Sequence, residues 1–150
     1  MIEFPIEKRK DRATSYAKGD VLYWEGYEFP DGTGRKNSYI VFLSECINES
    51  SFLIARGTAT IERYKSGKIR DFVVITPKDC PIFAEETAID FRGIKEVSVE
   101  KVAGALSVKA RPIGTIPPEI LNRLTNAIVA SKVVPRWMKR VIQQSRSVQN

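Results

Sequence analysis

The chain has 150 residues, 43% hydrophobic and 28% charged, with a net charge of +6 and a pI of about 9.4. That length suits one domain, and that balance supports a buried core rather than a disordered chain. There is no histidine, which excludes Ser-His-Asp triads, Cys-His nucleophile pairs, His-ligated zinc and paired-histidine acid–base chemistry.

Residues 1–18 are polar and mixed in charge and are expected to form an N-terminal arm. Lys8, Arg9, Lys10 and Arg12 make it basic, but interspersed acids and the lack of a long apolar core argue against a secretory signal. Order is expected to resume at Gly19-Asp20. Val21 to Tyr27 is rich in β-branched and aromatic residues, hence a strand. Pro30, Asp31, Gly32 and Gly34 are turn chemistry. Tyr39 to Leu43 is a short apolar run whose length and composition favour a buried strand.

Asn48 to Ser51 marks a turn, and Phe52 to Ala55 the next strand, with a possible extension to Thr60. Ser66, Gly67 and Lys68 punctuate a hairpin tip. Phe72 to Thr76 is a further strand, closed by Pro77. Pro81 to Phe83 and Thr87 to Phe91 give two more short extended pieces. Strands at short intervals, with no helix between them, predict an antiparallel, barrel-like β domain rather than βαβ units.

The character changes after Gly114. Thr115 is a candidate cap, Pro117 and Pro118 suit a first helical turn, and Glu119 suits the helix dipole. Ile120, Leu121, Leu124, Ala127 and Ile128 then share one helical face. The helix ends at Lys132 to Val134, and Pro135 opens a second. There Trp137 with Val141, and Met138 with Ile142, are spaced to pair. The chain therefore divides into an arm (1–18), a β domain with its helix (19–134) and a basic C-terminal helix and tail (135–150).

The basic balance favours an anionic partner. Cys46 and Cys80 have no metal-ligand spacing and are expected as free thiols in a reducing compartment. No apolar run reaches the ~20 residues of a membrane span. The expected location is the cytoplasm.

Four places could carry chemistry. The turn at Gly32 to Lys36 could cradle a phosphate with backbone amides and the Arg35 and Lys36 cations, or be a solvated corner. It is not a P-loop, because GxxxxGK[ST] is absent. Ala55 to Thr60 places Gly57 beside Thr58 and Thr60, which suits either oxyanion donors or a β-bulge. Asp90 is either a general base or a turn residue. Arg136, Lys139, Arg140 and Arg146 make the C-terminal helix a candidate RNA or acidic-peptide surface, the alternative being a solvated face.

Gly19-Asp20-Val21-Leu22, the basic glycine turn, YIVFLS and FLIARGTAT, taken in order, resemble the PemK/MazF (Kid) toxins of type II toxin–antitoxin systems. TAIDFRGIKEVSVEKV followed by IGTIPPEILNRLTNAIVAS is similar to their closing segment. The resemblance covers roughly residues 19–131 and is that of a divergent member. It implies a mainly β, β+α fold: an SH3-like antiparallel small barrel with one or two C-terminal helices, usually a homodimer. It also implies a growth-inhibiting, metal-independent endoribonuclease without a cofactor, neutralised by an antitoxin. Single-stranded RNA would be cut by 2′-hydroxyl attack, leaving a 2′,3′-cyclic phosphate.

The family's catalytic Arg-Pro aligns with Ser38-Tyr39, so the expected Arg is missing. Arg35, assisted by Lys36, is then the expected phosphate-stabilising cation. The catalytic Thr or Ser falls near Thr58, with Thr60 as the other choice, and Asp90 is the acid–base candidate. Arg56, Thr60, Ser38, Arg136, Lys139 and Arg140 are candidate RNA contacts. Tyr39 or Trp24 is a candidate base-stacking aromatic, though both also fit a core. The alternative reading is a catalytically inactive RNA-binding or protein-interaction module on the same barrel. A metal-dependent nuclease is disfavoured by the lack of clustered acids and of histidine.

Overall fold

The computed structural model describes residues 13–28, 34–67, 71–106 and 108–145. The N-terminal basic cluster, Gly32, Thr33, Lys68 and Arg146 lie outside them.

Among the described residues, seven strands build one antiparallel sheet: β1 (Asp20–Glu28), β2 (Arg35–Phe42), β3 (Ser51–Thr58), β4 (Phe72–Ile75), β5 (Thr87–Asp90), β6 (Lys95–Ser98) and β7 (Ala110–Thr115). The hydrogen-bonded path runs β4-β5-β3-β2-β1-β7, and β6 branches from β3. β3 is the fork. Its first half, Ser51 to Ile54, pairs with β6, and Gly57 and Thr58 pair with β5. The path ends on β4 and β7, so the sheet is open, and the protein is an antiparallel β+α fold.

Both faces of the central strands are buried, which is why β2 and β3 carry continuous apolar runs rather than alternation. Val21, Val41, Leu53, Ala55 and Ile89 meet Leu121, Leu124 and Ile128 of α3 (Pro118–Ala130) and Ile142 of α4 (Arg136–Gln144). On the other face Leu22, Ile40, Phe42, Phe52 and Ile54 meet Val99, Val102, Ala103 and Ala105 of α2 (Val99–Leu106). Each fully buried Leu, Ile or Phe contributes roughly 1.5–3 kcal/mol of transfer free energy.

Several expectations are corrected. The chain between β3 and β4 holds a one-turn helix, α1 (Glu62–Lys65), before Gly67. α2 likewise interrupts the strands. Pro81 to Phe83 is turn rather than extended chain. Phe91 opens a 3-10 turn (Phe91–Gly93) in place of continuing β5, because Asp90 Oδ1 accepts the Arg92 N–H and caps it. Thr115 does not cap α3. It ends β7, its hydroxyl donates to Asp20 Oδ1 at 2.9 Å, and Pro117 takes the N-cap position. Asp20 Oδ2 also accepts the Ala17 N–H at 2.9 Å, so this carboxylate ties the start of β1 to the end of β7. Among the described residues no helix is long and apolar enough to cross a membrane.

Candidate functional site: a cationic cleft at the sheet centre

At one end of the two middle strands the second core gives way to polar groups. On β2 the face of Phe42 and Ile40 continues as Ser38 and Lys36. On β3 the face of Phe52 and Ile54 continues as Arg56 and Thr58. The register Phe42↔Ile54 and Ile40↔Arg56 puts all four polar residues on one side.

Hydrogen bonds lock them together. Arg56 Nε donates to Ser38 Oγ at 2.9 Å, and the Ser38 hydroxyl donates to the Lys36 carbonyl at 2.9 Å. Lys36 Nζ donates to Thr60 Oγ1 at 3.1 Å, and the Thr60 N–H donates to Thr58 Oγ1 at 3.2 Å. Lys36, Arg56, Thr58, Thr60, Arg63 and Tyr64 line a cleft of about 180 Å³. Burial lowers the Arg56 pKa, but a guanidinium starts so far above neutrality that it stays charged at any physiological pH.

Tyr64 on α1 is buried, and its hydroxyl donates to Asp90 Oδ2 at 3.0 Å. Arg92 grips the same carboxylate with Nε at 3.1 Å and a terminal nitrogen at 2.7 Å. With the Arg92 N–H, Asp90 accepts four hydrogen bonds, which fills a carboxylate's capacity. Burial pushes the Asp90 pKa up, but the bonds from Arg92 and Tyr64 outweigh it and the net shift is downward. Burial, then the Asp90 charge, raises the Tyr64 pKa. Burial lifts Tyr27 to about 12 against the opposing pull of Arg56. Its ring lies 5.0 Å from Lys95 Nζ and 5.5 Å from Lys101 Nζ, so positive charge extends along this face.

Gly57 is neither bulge nor loose hinge. It pairs regularly with Tyr39 on one side and Ile89 on the other. A Cβ there would lie 2.8 Å from Thr87 Cγ2 and 3.1 Å from Ile89 Cδ1, so the absent side chain lets β5 close on β3.

Of the residues singled out from sequence, Lys36, Ser38, Arg56, Thr58 and Thr60 come together, and Asp90 joins them through Tyr64. Arg35 stands apart. It alternates to the other side of β2 from Lys36, is 70% exposed, and among the described residues forms an ion pair with Glu28 at 3.8 Å. Arg136, Lys139 and Arg140 ride on α4, whose Ile142 enters the first core, and none of them lines the cleft. Trp24 is buried, whereas Tyr39 is half-buried. Arg63 and Tyr64 were missed. An arginine next to an aromatic just beyond the Thr58–Thr60 corner was the available signal. Among the described residues no group of three or more His, Cys, Asp or Glu could hold a metal ion.

Fold and cleft together define an antiparallel β+α protein with a hydroxyl-lined cationic cleft. No family model matches the sequence. No curated protein matches it either.

Proposed function

We propose that the protein is a toxin-type, metal-independent endoribonuclease acting on single-stranded RNA. One observation carries the reading: Lys36, Arg56 and Arg63 line a single cleft with the hydroxyl-bearing Thr58 and Thr60. Three cations and two hydroxyls suit a phosphodiester whose charge grows during reaction. The substrate's 2′-hydroxyl oxygen attacks the adjacent phosphorus, and the bond from phosphorus to O5′ breaks. The products are a 2′,3′-cyclic phosphate and a 5′-hydroxyl. The proton lost by the 2′-hydroxyl and the one gained by O5′ exchange with water. Arg56 stabilises the equatorial oxygens, Lys36 assists, and Thr58 positions the phosphate. Asp90, saturated by Arg92 and Tyr64, orients the tyrosine wall of the cleft. On this reading the open sheet is a divergent form of the small toxin barrel. The active unit is a homodimer, and an antitoxin restrains it in the cytoplasm.

A second reading, an RNA-binding module that does not cleave, is favoured by the same saturation of Asp90, which leaves that carboxylate no free lone pair to take a proton. Both are tested with end-labelled mixed-sequence RNA in EDTA, comparing wild type with Arg56→Ala and Thr58→Ala. Cleavage to cyclic-phosphate ends that disappears in both variants supports the nuclease. Retention of RNA without cleavage supports the module. Cleavage unchanged in both variants, or abolished by EDTA, defeats the proposed mechanism.

A further inference from the structure

A second cleft, of about 190 Å³, opens beside the first and shares Lys36, Thr58 and Thr60 with it. Its remaining walls are of another kind. Tyr23 and Tyr39, cross-strand partners on β1 and β2, meet edge to face with ring centroids 5.7 Å apart. Tyr39 is held in turn by the edge-on ring of Phe83 at 4.9 Å. Two half-buried rings anchored in this way form an aromatic wall at little entropic cost.

Two polar side chains complete the cleft. Asn37 Oδ1 accepts the N–H of Gly26 at 2.9 Å. That bond fixes the amide's orientation and leaves its NH₂ free to donate. Gly26 sits at the irregularity of β1, with a φ of 64°. Glu85 presents an exposed carboxylate with no ion pair or side-chain hydrogen bond among the described residues. The cleft therefore offers donors from an oriented amide, acceptors from a free carboxylate, and an aromatic wall. Guanine's Watson–Crick edge matches this set, because O6 accepts while N1–H and the N2 amine donate side by side. Adenine and cytosine each present one donor group on that edge, and uracil a single N–H.

We propose that this second cleft is a nucleobase subsite selective for guanine, with Glu85 accepting from N1–H and N2–H and Asn37 donating to O6. The inference rests on the RNA reading above and names what that site selects. The shared residues place the phosphate next to the selected base against Lys36, Thr58 and Thr60.

The test is fluorescence anisotropy with short 2′-O-methyl oligouridylates, which 2′-hydroxyl attack cannot cleave. One position carries guanine, inosine, adenine or no base. Wild type is expected to bind the guanine oligomer about tenfold or more tighter than the inosine one, which lacks the N2 amine. In Glu85→Gln that ratio falls to near unity while affinity for the abasic oligomer stays unchanged. Asn37→Asp, which turns the donor into an acceptor, weakens the guanine oligomer selectively. Equal binding of all four oligomers by wild type overturns the base proposal and leaves RNA binding standing. A guanine preference that survives in Glu85→Gln overturns the role of Glu85. Failure of wild type to bind any oligomer overturns both this proposal and the RNA reading.

Discussion

Arg56 reaches across the centre of the sheet and donates its Nε–H to the buried hydroxyl of Ser38 at 2.9 Å. On the toxin-type reading proposed above, Ser38 stands where the family pattern has its Arg, and the guanidinium comes from Arg56 on the neighbouring strand instead. The tether limits how far the guanidinium can swing.

Arg56→Ala is therefore expected to lower the rate of RNA cleavage about 10²-fold or more, the usual effect of removing a group that stabilises transition-state charge. Arg35→Ala should change it less than about twofold, because an exposed pair at 3.8 Å from Glu28 contributes little. Initial rates on one labelled RNA in EDTA check both. A larger loss in Arg35→Ala would return the catalytic cation to the β1–β2 turn.

Ser38→Ala removes the tether and leaves the cation. It should reduce kcat by about tenfold with a smaller change in KM, since Arg56 then samples orientations away from the phosphate. Ser38→Thr, which restores a hydroxyl, should recover part of the loss. Equal losses in both variants would indicate a packing effect.

Asp90 gives a pH signature. Its folded-state pKa is depressed below 3.8, so its contribution to stability is complete above the unfolded value and is lost as pH falls through the lower folded value. Asp90→Asn should be less stable than wild type by about 1–3 kcal/mol at neutral pH. Urea denaturation should show that gap narrowing as pH drops below 3.8. A gap independent of pH would mean that the carboxylate's charge plays no part.

Gly57→Ala tests the closeness of β5 to β3. The added methyl would meet Thr87, Ile89 and Tyr39 within 3.3 Å. A loss of about 1–3 kcal/mol in chemical denaturation is expected from overpacking. No loss would show that β5 yields without strain.

Burial raises the pKa of Cys80 and of Cys46 above 9.0. At about pH 8 both thiols should react slowly with an aromatic disulfide reagent, since only the thiolate attacks. Cys80, fully buried, should label only on unfolding, and Cys46, half-buried, should label first. Fast labelling of Cys80 in the native protein would contradict its packing.

Much of the fold was legible locally. Val21 to Tyr27, Phe52 to Ala55 and Phe72 to Thr76 carry β-branched and aromatic runs; the first and last contain most of a strand and the second contains half of one. Pro135 separates two helices as expected. Other elements were not legible, for physical reasons. Val99 to Leu106 opens on a β-branched residue directly after a strand and is too short for a clear helical period. Thr115 resembles a cap in sequence, but Asp20, 95 positions away, claims its hydroxyl.

The amino-acid sequence by itself determined that no histidine could take part, that the chain would be largely antiparallel β with helices at its end, and that cations and hydroxyls would lie in two separate stretches, Arg35-Lys36 and Arg56 to Thr60. These follow from composition and from local periodicity, which act over a few residues. Only the tertiary structure decided that Arg56 rather than Arg35 faces the cleft, and that Tyr64 and Arg92 occupy Asp90. Strand alternation assigns a residue to one of two faces, but the residue opposite it depends on register. Register is set by side chains packing across the sheet from distant parts of the chain, so no short stretch of sequence contains it.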